Sequence, residues 1–281
     1  MDEPLIRDIS DTARWVAVYR ARETERPDAV FRDPFARALA GERGEQIARS
    51  LKDDNMEWSV IARTHAFDRL LLRELEAGTD VVVNLAAGLD ARPYRLDLPP
   101  SLRWIEVDLP EILEYKERIL ADAQPRCRVE RVALDLSNQD ARAGFFGDVG
   151  RRASRVVVIS EGLVIYLMAD AVGALARDLA GPPSFQRWLL DIVSPGLLTM
   201  INERAADLVR SAGAPFLFGP QEGPAFFERY GWTPLNVRSL LKTAASLKRL
   251  PMFLRMMAML PEGPQPAGSR PWSGVCLLGR A

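Results

Sequence analysis

From Thr79 onward the chain alternates short β-branched apolar runs with amphipathic helical patterns, and this alternation restricts what it can fold into. The runs are TDVVVNLAAG, LRWIEVD, RVERVALD, SRVVVIS and QRWLLDIVS, and between them lie EILEYKERILADA, SNQDARAGFF and MADAVGALARDLA. Strands that alternate with helices build βαβ units, hence a mostly parallel sheet with right-handed crossovers. VVV and VVVIS are continuous rather than alternating, as expected of strands covered by helices on both faces. Two more strands are expected near Thr233–Val237 and in the closing WSGVCLLG. The fold class is α/β.

Residues 1–76 read as helical. ISDTARWVAVYRARET has helical apolar spacing, and Asp33 with Pro34 reads as the cap and first turn of DPFARALAGE. In EWSVIARTHAFDRLLLRELE, at 57–76, Val60, Phe67, Leu71 and Leu75 share one face. The last third is less regular. SPGLLTMINERAADLVRSAGAPFLFGP reads as an inserted helix with loops. SLLKTAASLKRLPMFLRMMAML reads as helical until Pro251, then as an apolar methionine-rich stretch, and PEGPQPAGSRP as a connector.

Composition narrows the chemistry. In 281 residues, 37 Lys and Arg stand against 38 Asp and Glu, so no basic excess favours a nucleic-acid partner. His65, Cys127 and Cys276 are too few and too far apart for structural zinc, and no metal is expected. Any Ser-His-Asp or Cys-His mechanism would have to use His65. Two lone cysteines do not form a disulfide framework, which points to a reducing, cytoplasmic compartment. MDEPLIRD has no apolar signal core, and no apolar run reaches about 18 residues, so no membrane span and no membrane partner are expected.

The functional signals sit at strand ends, where open α/β sheets bind ligands. The turn after the first strand reads NLAAGLD. It lacks the dinucleotide glycine fingerprint, since Ala86 takes the first glycine position and Asp90 follows Gly88 by two. Either it is an ordinary tight turn, or its small residues admit a cofactor without phosphates. Asp108 ends the second strand 20 residues after Gly88, the spacing of an acid that accepts ribose hydroxyls; DLPE equally resembles a helix capping box. Asp135, at the end of the third strand, suits an adenine amino group, with Leu136 offering a backbone amide; a helix-start turn is the alternative. Glu161, at the end of the fourth, calls for a cationic ligand group or an internal arginine. Arg63, on the apolar face of its helix, calls for a carboxylate from either the protein or a ligand. Read as ligand contacts, these residues describe a ribose, an adenine, an amine and a carboxylate with no phosphate, a description that S-adenosylmethionine fits.

The stretches SDTARWVAVYRARE, FRDPFA, ARTHAFDRLL, VVVNLAAGLDARPYRL, WIEVDLPEILEYK, ALDL, SEGLVIYL, FFERYGW and GVCLLGR resemble the leucine carboxyl methyltransferase family, in particular its bacterial S-adenosylmethionine-dependent O-methyltransferases of the tetracenomycin type. The resemblance implies a class I, Rossmann-like seven-stranded sheet forming one domain. Its parts would be a helical cap at 1–77, a cofactor-binding core at 78–195, a lid insertion at 196–227 and the rest of the sheet at 228–281. It implies that Arg63 holds the methionine carboxylate, Ala86 and Gly88 form the cofactor loop, and Asp108 binds ribose. Asp135 and Leu136 would contact adenine, and Glu161 would lie near the cofactor. Ala86 departs from the family's usual glycine. The expected product is S-adenosylhomocysteine, and the expected partner is a small-molecule acceptor with a carboxylate or phenolic oxygen, in the manner of a polyketide. A protein carboxyl acceptor and a non-catalytic cofactor-binding role are the alternatives. No catalytic base is assigned; Tyr166 and His65 are the candidates. Met252, Phe253, Met256 and Met257 form either an apolar wall of the acceptor pocket or simple core.

Overall fold

The computed structural model describes residues 9–50, 56–204, 215–261 and 270–281. Three helices lead the chain: α1 (Ile9–Glu25), α2 (Ala36–Ser50) and α3 (Glu57–Glu76). A seven-stranded sheet follows, formed by β1 (Val81–Leu85), β2 (Arg103–Asp108), β3 (Arg128–Ala133), β4 (Val156–Ser160), β5 (Phe185–Val193), β6 (Trp232–Ser239) and β7 (Ser273–Arg280). The strand order is β3-β2-β1-β4-β5-β7-β6. β7 is antiparallel to both β5 and β6, and the other pairs are parallel. The connecting helices are α4 (Arg92–Arg95), α5 (Pro110–Ile119), α6 (Gln139–Arg151), α7 (Ala169–Ala180), α8 (Pro195–Arg204), α9 (Leu240–Ser246) and α10 (Met252–Met259).

The continuous valine runs are explained by their packing. Val81, Val83, Val156 and Val158 join a core with Phe146, Trp188, Phe227 and Trp232 on one face of the sheet. Val82, Val157 and Ile159 join a second core with Phe67, Leu71 and Trp104 on the other, under α3 and α9. With both faces covered, polar alternation has no place in β1 or β4. The strand order reverses between β1 and β4, so the crevice beyond their carboxyl ends is the expected binding position. Among the described residues no helix is long and apolar enough to cross a membrane.

The structure corrects several local expectations. α2 begins at Ala36 and is broken at Gly41, whose φ is 62°. Asp33 does not serve only as a cap. One of its oxygens accepts from the Phe35 amide at 3.2 Å, while the other is taken by Arg20 at 2.9 Å. The helix expected to reach Pro251 ends at Ser246. Lys248 then turns the chain at φ 59°, and α10 starts after Pro251. α10 is not core: Met252 and Met256 are 80% and 78% exposed. Only its inner edge, Phe253, Leu254 and Met257, lines the central cavity.

Beneath the β1 and β2 loops lies a buried charge cluster that sequence reading does not anticipate. Lys116 Nζ on α5 donates to Glu106 Oε1 on β2 at 2.6 Å, and both side chains are fully buried. Arg131 Nε on β3 donates to the other Glu106 oxygen at 3.1 Å and its Nη2 to the Tyr94 hydroxyl at 2.7 Å. Removing one member of such a pair strands the other in low dielectric. Lys116→Met is expected to cost about 3 kcal/mol of stability, read as a lower midpoint in urea denaturation; an unchanged midpoint would show that Glu106 needs only Arg131.

Candidate functional site

A cavity of about 2230 Å³ opens beyond the carboxyl ends of β1, β2, β4 and β5, and its lining includes Asn84, Asp108, Glu161 and Asp191. Pockets for one small ligand span about 300–1,000 Å³, so this one has room for two molecules.

The β1 loop owes its shape to two residues in the left-handed region. Ala86 has φ 50° and Gly88 has φ 47°. Glycine takes this conformation without penalty, whereas alanine pays a Cβ–carbonyl clash. The loop is tied to β2 at two points: the Ala87 amide donates to Val107 O at 3.2 Å, and the Gly88 amide donates to Asp108 Oδ2 at 2.7 Å. Asp108 Oδ1 accepts from the Leu109 amide at 2.8 Å. The expected capping box is therefore not formed; α5 starts at Pro110 with no side-chain cap. Asp108 instead spans the β1 loop and the start of α5. Each oxygen keeps a second lone pair for a ligand donor. Burial pushes its pKa up, against the two amide hydrogen bonds.

Asp90, two residues after Gly88, does not leave an open negative charge. It accepts from Asn84 Nδ2 at 2.9 Å, from the Arg92 amide at 2.8 Å and from Arg92 Nη1 at 2.7 Å. Burial works against its ionisation, yet the charges of Arg92, Lys116 and Arg95 hold its pKa below the ordinary carboxylate range.

Arg63 reaches across from α3 to the ends of β4 and β5. Its Nε donates to Glu161 Oε1 at 3.0 Å and its Nη1 to Asp191 Oδ2 at 3.3 Å. Its Nη2 has no hydrogen-bond partner among the described residues. Glu161 Oε2 also pairs with Arg92 Nη2 at 2.8 Å. The internal-arginine reading of Glu161 therefore holds while the carboxylate still lines the cavity. Gly162, at φ 66°, lets the backbone lie against the guanidinium: a Cβ there would sit 3.6 Å from Arg63 Nη1. The Gly162 amide donates to Asp191 Oδ1 at 2.6 Å.

Asp135 and Leu136 follow β3, which ends at Ala133, and both line the cavity. Asp135 is exposed and accepts from the Ser137 amide at 2.8 Å, a bond that lowers its pKa. Tyr166 also lines the cavity, with its ring 5.2 Å from Phe216. Burial raises its pKa despite the hydrogen bond with Thr12 and the nearby Arg63 charge, so it keeps its proton at neutral pH. His65 is not among the lining residues. Burial lowers its pKa, opposed by Asp68 and a hydrogen bond to the Val30 backbone. No cluster of three His, Cys, Asp or Glu suited to a metal occurs among the described residues.

Sequence reading passed over Arg92 and Asp191. The signal for Asp191 was present in WLLDIVS, a single acid inside an apolar strand, the same cue that singled out Glu161. Arg92 was visible only as part of GLDARPYRL.

The arrangement can be tested against the group the sequence suggests. S-adenosylmethionine needs acceptors for two ribose hydroxyls, a donor for a carboxylate and negative charge beside its cationic groups. Asp108 retains free lone pairs, Arg63 retains an unpartnered Nη2, and Glu161 and Asp191 stand beside it, so the residues fit.

Comparison with known proteins agrees. The family model for leucine carboxyl methyltransferase matches residues 13–180. A Mycobacteroides abscessus protein, provisionally described as an S-adenosyl-L-methionine-dependent methyltransferase, is 37% identical over 186 residues, 61% of either chain. A Parafrankia protein with the same description is 33% identical over 268 residues, 88% of this chain and 84% of its own. Among solved structures, a provisionally named methyltransferase from Thermobifida fusca matches with a TM-score of 0.60 at 18% identity, over 99% of this chain and 96% of its own. A DUF574 family protein from Streptomyces avermitilis matches with a TM-score of 0.59 at 17% identity, over 96% and 97%. At such identities these two speak for the fold alone.

Ala86→Gly removes the clash of a left-handed alanine, partly offset by the entropy of an added glycine. A net gain of about 1 kcal/mol is expected, seen as a higher Tm; a lower Tm would mean that the Ala86 methyl packs usefully.

Proposed function

The chain belongs to the leucine carboxyl methyltransferase family and uses S-adenosylmethionine, and from that footing we propose that it methylates an oxygen, carboxylate or phenolic, of a small apolar molecule such as a polyketide. The observation that carries this reading is the wall of the cavity beyond Arg63 and Tyr166. It is built from Trp15, Trp58, Ile192, Leu197, Phe216 and Trp272, all apolar or aromatic, from α1, α3, β5, α8 and the segments before the 3-10 helix at Gly223–Tyr230 and before β7. Such a wall gains affinity from apolar area and has little to offer a polar or charged acceptor body.

In this reading Asp108 accepts the ribose hydroxyls through its spare lone pairs, and Arg63 donates to the carboxylate through Nη2. Glu161 faces the cationic end, while Asp135 and Leu136 border the adenine. Ala86 and Gly88 allow close approach of the backbone. When bound, the cofactor supplies a methyl group on a cationic sulfonium and a neutral leaving group. The protein's share is alignment of the acceptor and exclusion of water, a contribution of about 7–11 kcal/mol in favourable cases. The two cysteines, buried and free, support a reducing compartment.

Asp108→Ala is expected to weaken S-adenosylmethionine binding at least about tenfold in calorimetric titration, since it removes a charge-assisted acceptor worth about 1.5–3 kcal/mol. Unchanged affinity would place the ribose elsewhere. Incubation with methyl-labelled cofactor and a panel of aromatic acids and phenols should yield an extractable methyl ester or ether. Label that appears only in protein, or no turnover beside tight cofactor binding, would replace this reading.

A further inference from the structure

We propose that Asp191 is the proton acceptor of the reaction and that the acceptor group is accordingly a neutral hydroxyl, not a carboxylate. This rests on the reading of the cavity as an O-methyltransferase site and chooses between its two acceptor classes.

The argument begins with a charge count. An unbroken chain of ion pairs runs along the inner side of the cavity. Arg20 pairs with Asp33 at 2.9 Å, and Arg95 lies 3.9 Å from Asp33 and 2.7 Å from Asp68. Arg92 joins Asp68 at 2.7 Å, Asp90 at 2.7 Å and Glu161 at 2.8 Å. Arg63 joins Glu161 at 3.0 Å and Asp191 at 3.3 Å. Five carboxylates therefore meet four guanidiniums, leaving one negative charge unmatched. Lys116, whose charge also reaches Asp90, is already paired with Glu106. Asp108 stands outside the chain and is bonded to backbone amides.

S-adenosylmethionine carries a sulfonium, an ammonium and a carboxylate, a net charge of one positive, and S-adenosylhomocysteine is neutral overall. The unmatched carboxylate is thus balanced before transfer and unbalanced after it, inside a site where an unpaired charge is costly. A neutral hydroxyl acceptor resolves this. Its oxygen bonds the methyl carbon, the carbon–sulfur bond breaks with its electron pair left on sulfur, and the hydroxyl proton passes to Asp191. A carboxylate acceptor brings another negative charge and no proton, so the site would hold an excess charge throughout.

Asp191 is the member placed to take that proton. Asp33 and Asp68 do not line the cavity. Glu161 is held by two arginines, one on each oxygen, and Asp90 is held through both oxygens by Arg92, with Asn84 added. Asp191 lines the cavity with its side chain 14% exposed and has one arginine, at the longest distance among the close pairs. It stands where the Arg63 end of the cavity meets the apolar wall of Ile192, Leu197 and Phe216. The groups facing it are Arg63 from α3, Glu161 and the Gly162 amide after β4, Tyr166, and Cys276 on β7. Burial raises its pKa, the direction that makes a carboxylate a better base.

The test has two independent parts. In calorimetric titrations, Asp191→Asn should lower the ratio of S-adenosylmethionine to S-adenosylhomocysteine affinity about tenfold, while Asp191→Glu keeps it; an unchanged ratio in the folded Asn variant overturns the charge-matching argument. Should the Asn variant fail to fold, wild-type protein decides. Sinefungin, which carries an amine in place of the methylated sulfonium and the same net charge, should bind tighter than S-adenosylhomocysteine, and equal or weaker binding overturns the proposal. In turnover, 2-naphthol should be methylated and 2-naphthoate should not. Asp191→Asn should lower kcat for 2-naphthol about a hundredfold and spare 4-nitrophenol at a pH where it is already ionised. Preferred methylation of 2-naphthoate, or equal losses on both phenols, overturns the proposal. Silence on all acceptors counts against the small-molecule reading, and the binding ratios still judge Asp191.

Discussion

The pairing of Arg63 and Arg92 on the single carboxylate of Glu161 is the interaction on which the site depends. Both arginines come from elements distant from β4, and their charges cannot be buried without partners. Meeting at Glu161 fixes α3 over the sheet edge, draws the GLDARPYRL turn against the end of β4 and leaves Arg63 Nη2 without a partner. Buried ion pairs of this kind contribute little net stability compared with an apolar packing of equal shape. Their value lies in position: each guanidinium is held at two or more points, so the groups that face the cavity need no reorganisation to meet a ligand.

The β1 loop depends on the same economy of placement. Asp108 holds the Gly88 amide at 2.7 Å and thereby keeps a strained turn closed around Ala86. A left-handed alanine persists only where the surroundings over-determine it. Here the surroundings are the two ties to β2 and the cover of α1, whose Ala13 methyl lies 3.6 Å from where a Gly88 Cβ would stand. The loop, the acid of β2 and the amino-terminal helices thus form one mechanical unit, and the cavity lies between that unit and the apolar wall.

Legibility in the sequence followed physical locality. The strands were readable because period and β-branching are local properties, and VVVNL and VVVIS declared themselves buried on both sides. α3 was readable for the same reason. Asp108, Glu161 and Arg63 were readable as anomalies, since an isolated charge on an apolar element demands a partner. The partners themselves were not readable, because they lie far away in sequence: Arg63 to Asp191 spans 128 positions and Arg92 to Asp68 spans 24. Locally ambiguous signals misled. DLPE has the composition of a capping box, yet its acid was drawn to the β1 loop. The methionine-rich stretch has the composition of a core, yet α10 stands largely outside it. In both cases tertiary contacts decided between two outcomes that the local residues allowed equally.

The central claim is that this chain of charges and this strained loop form one cofactor site with Asp108 and Arg63 at its two ends. The most direct measurement is a crystal structure of the protein with S-adenosylhomocysteine. The account predicts the ribose hydroxyls within hydrogen-bond distance of Asp108, the carboxylate on Arg63 Nη2 and the sulfur facing Asp191 and the apolar wall. A ribose bound away from Asp108, or a carboxylate remote from Arg63, would contradict it.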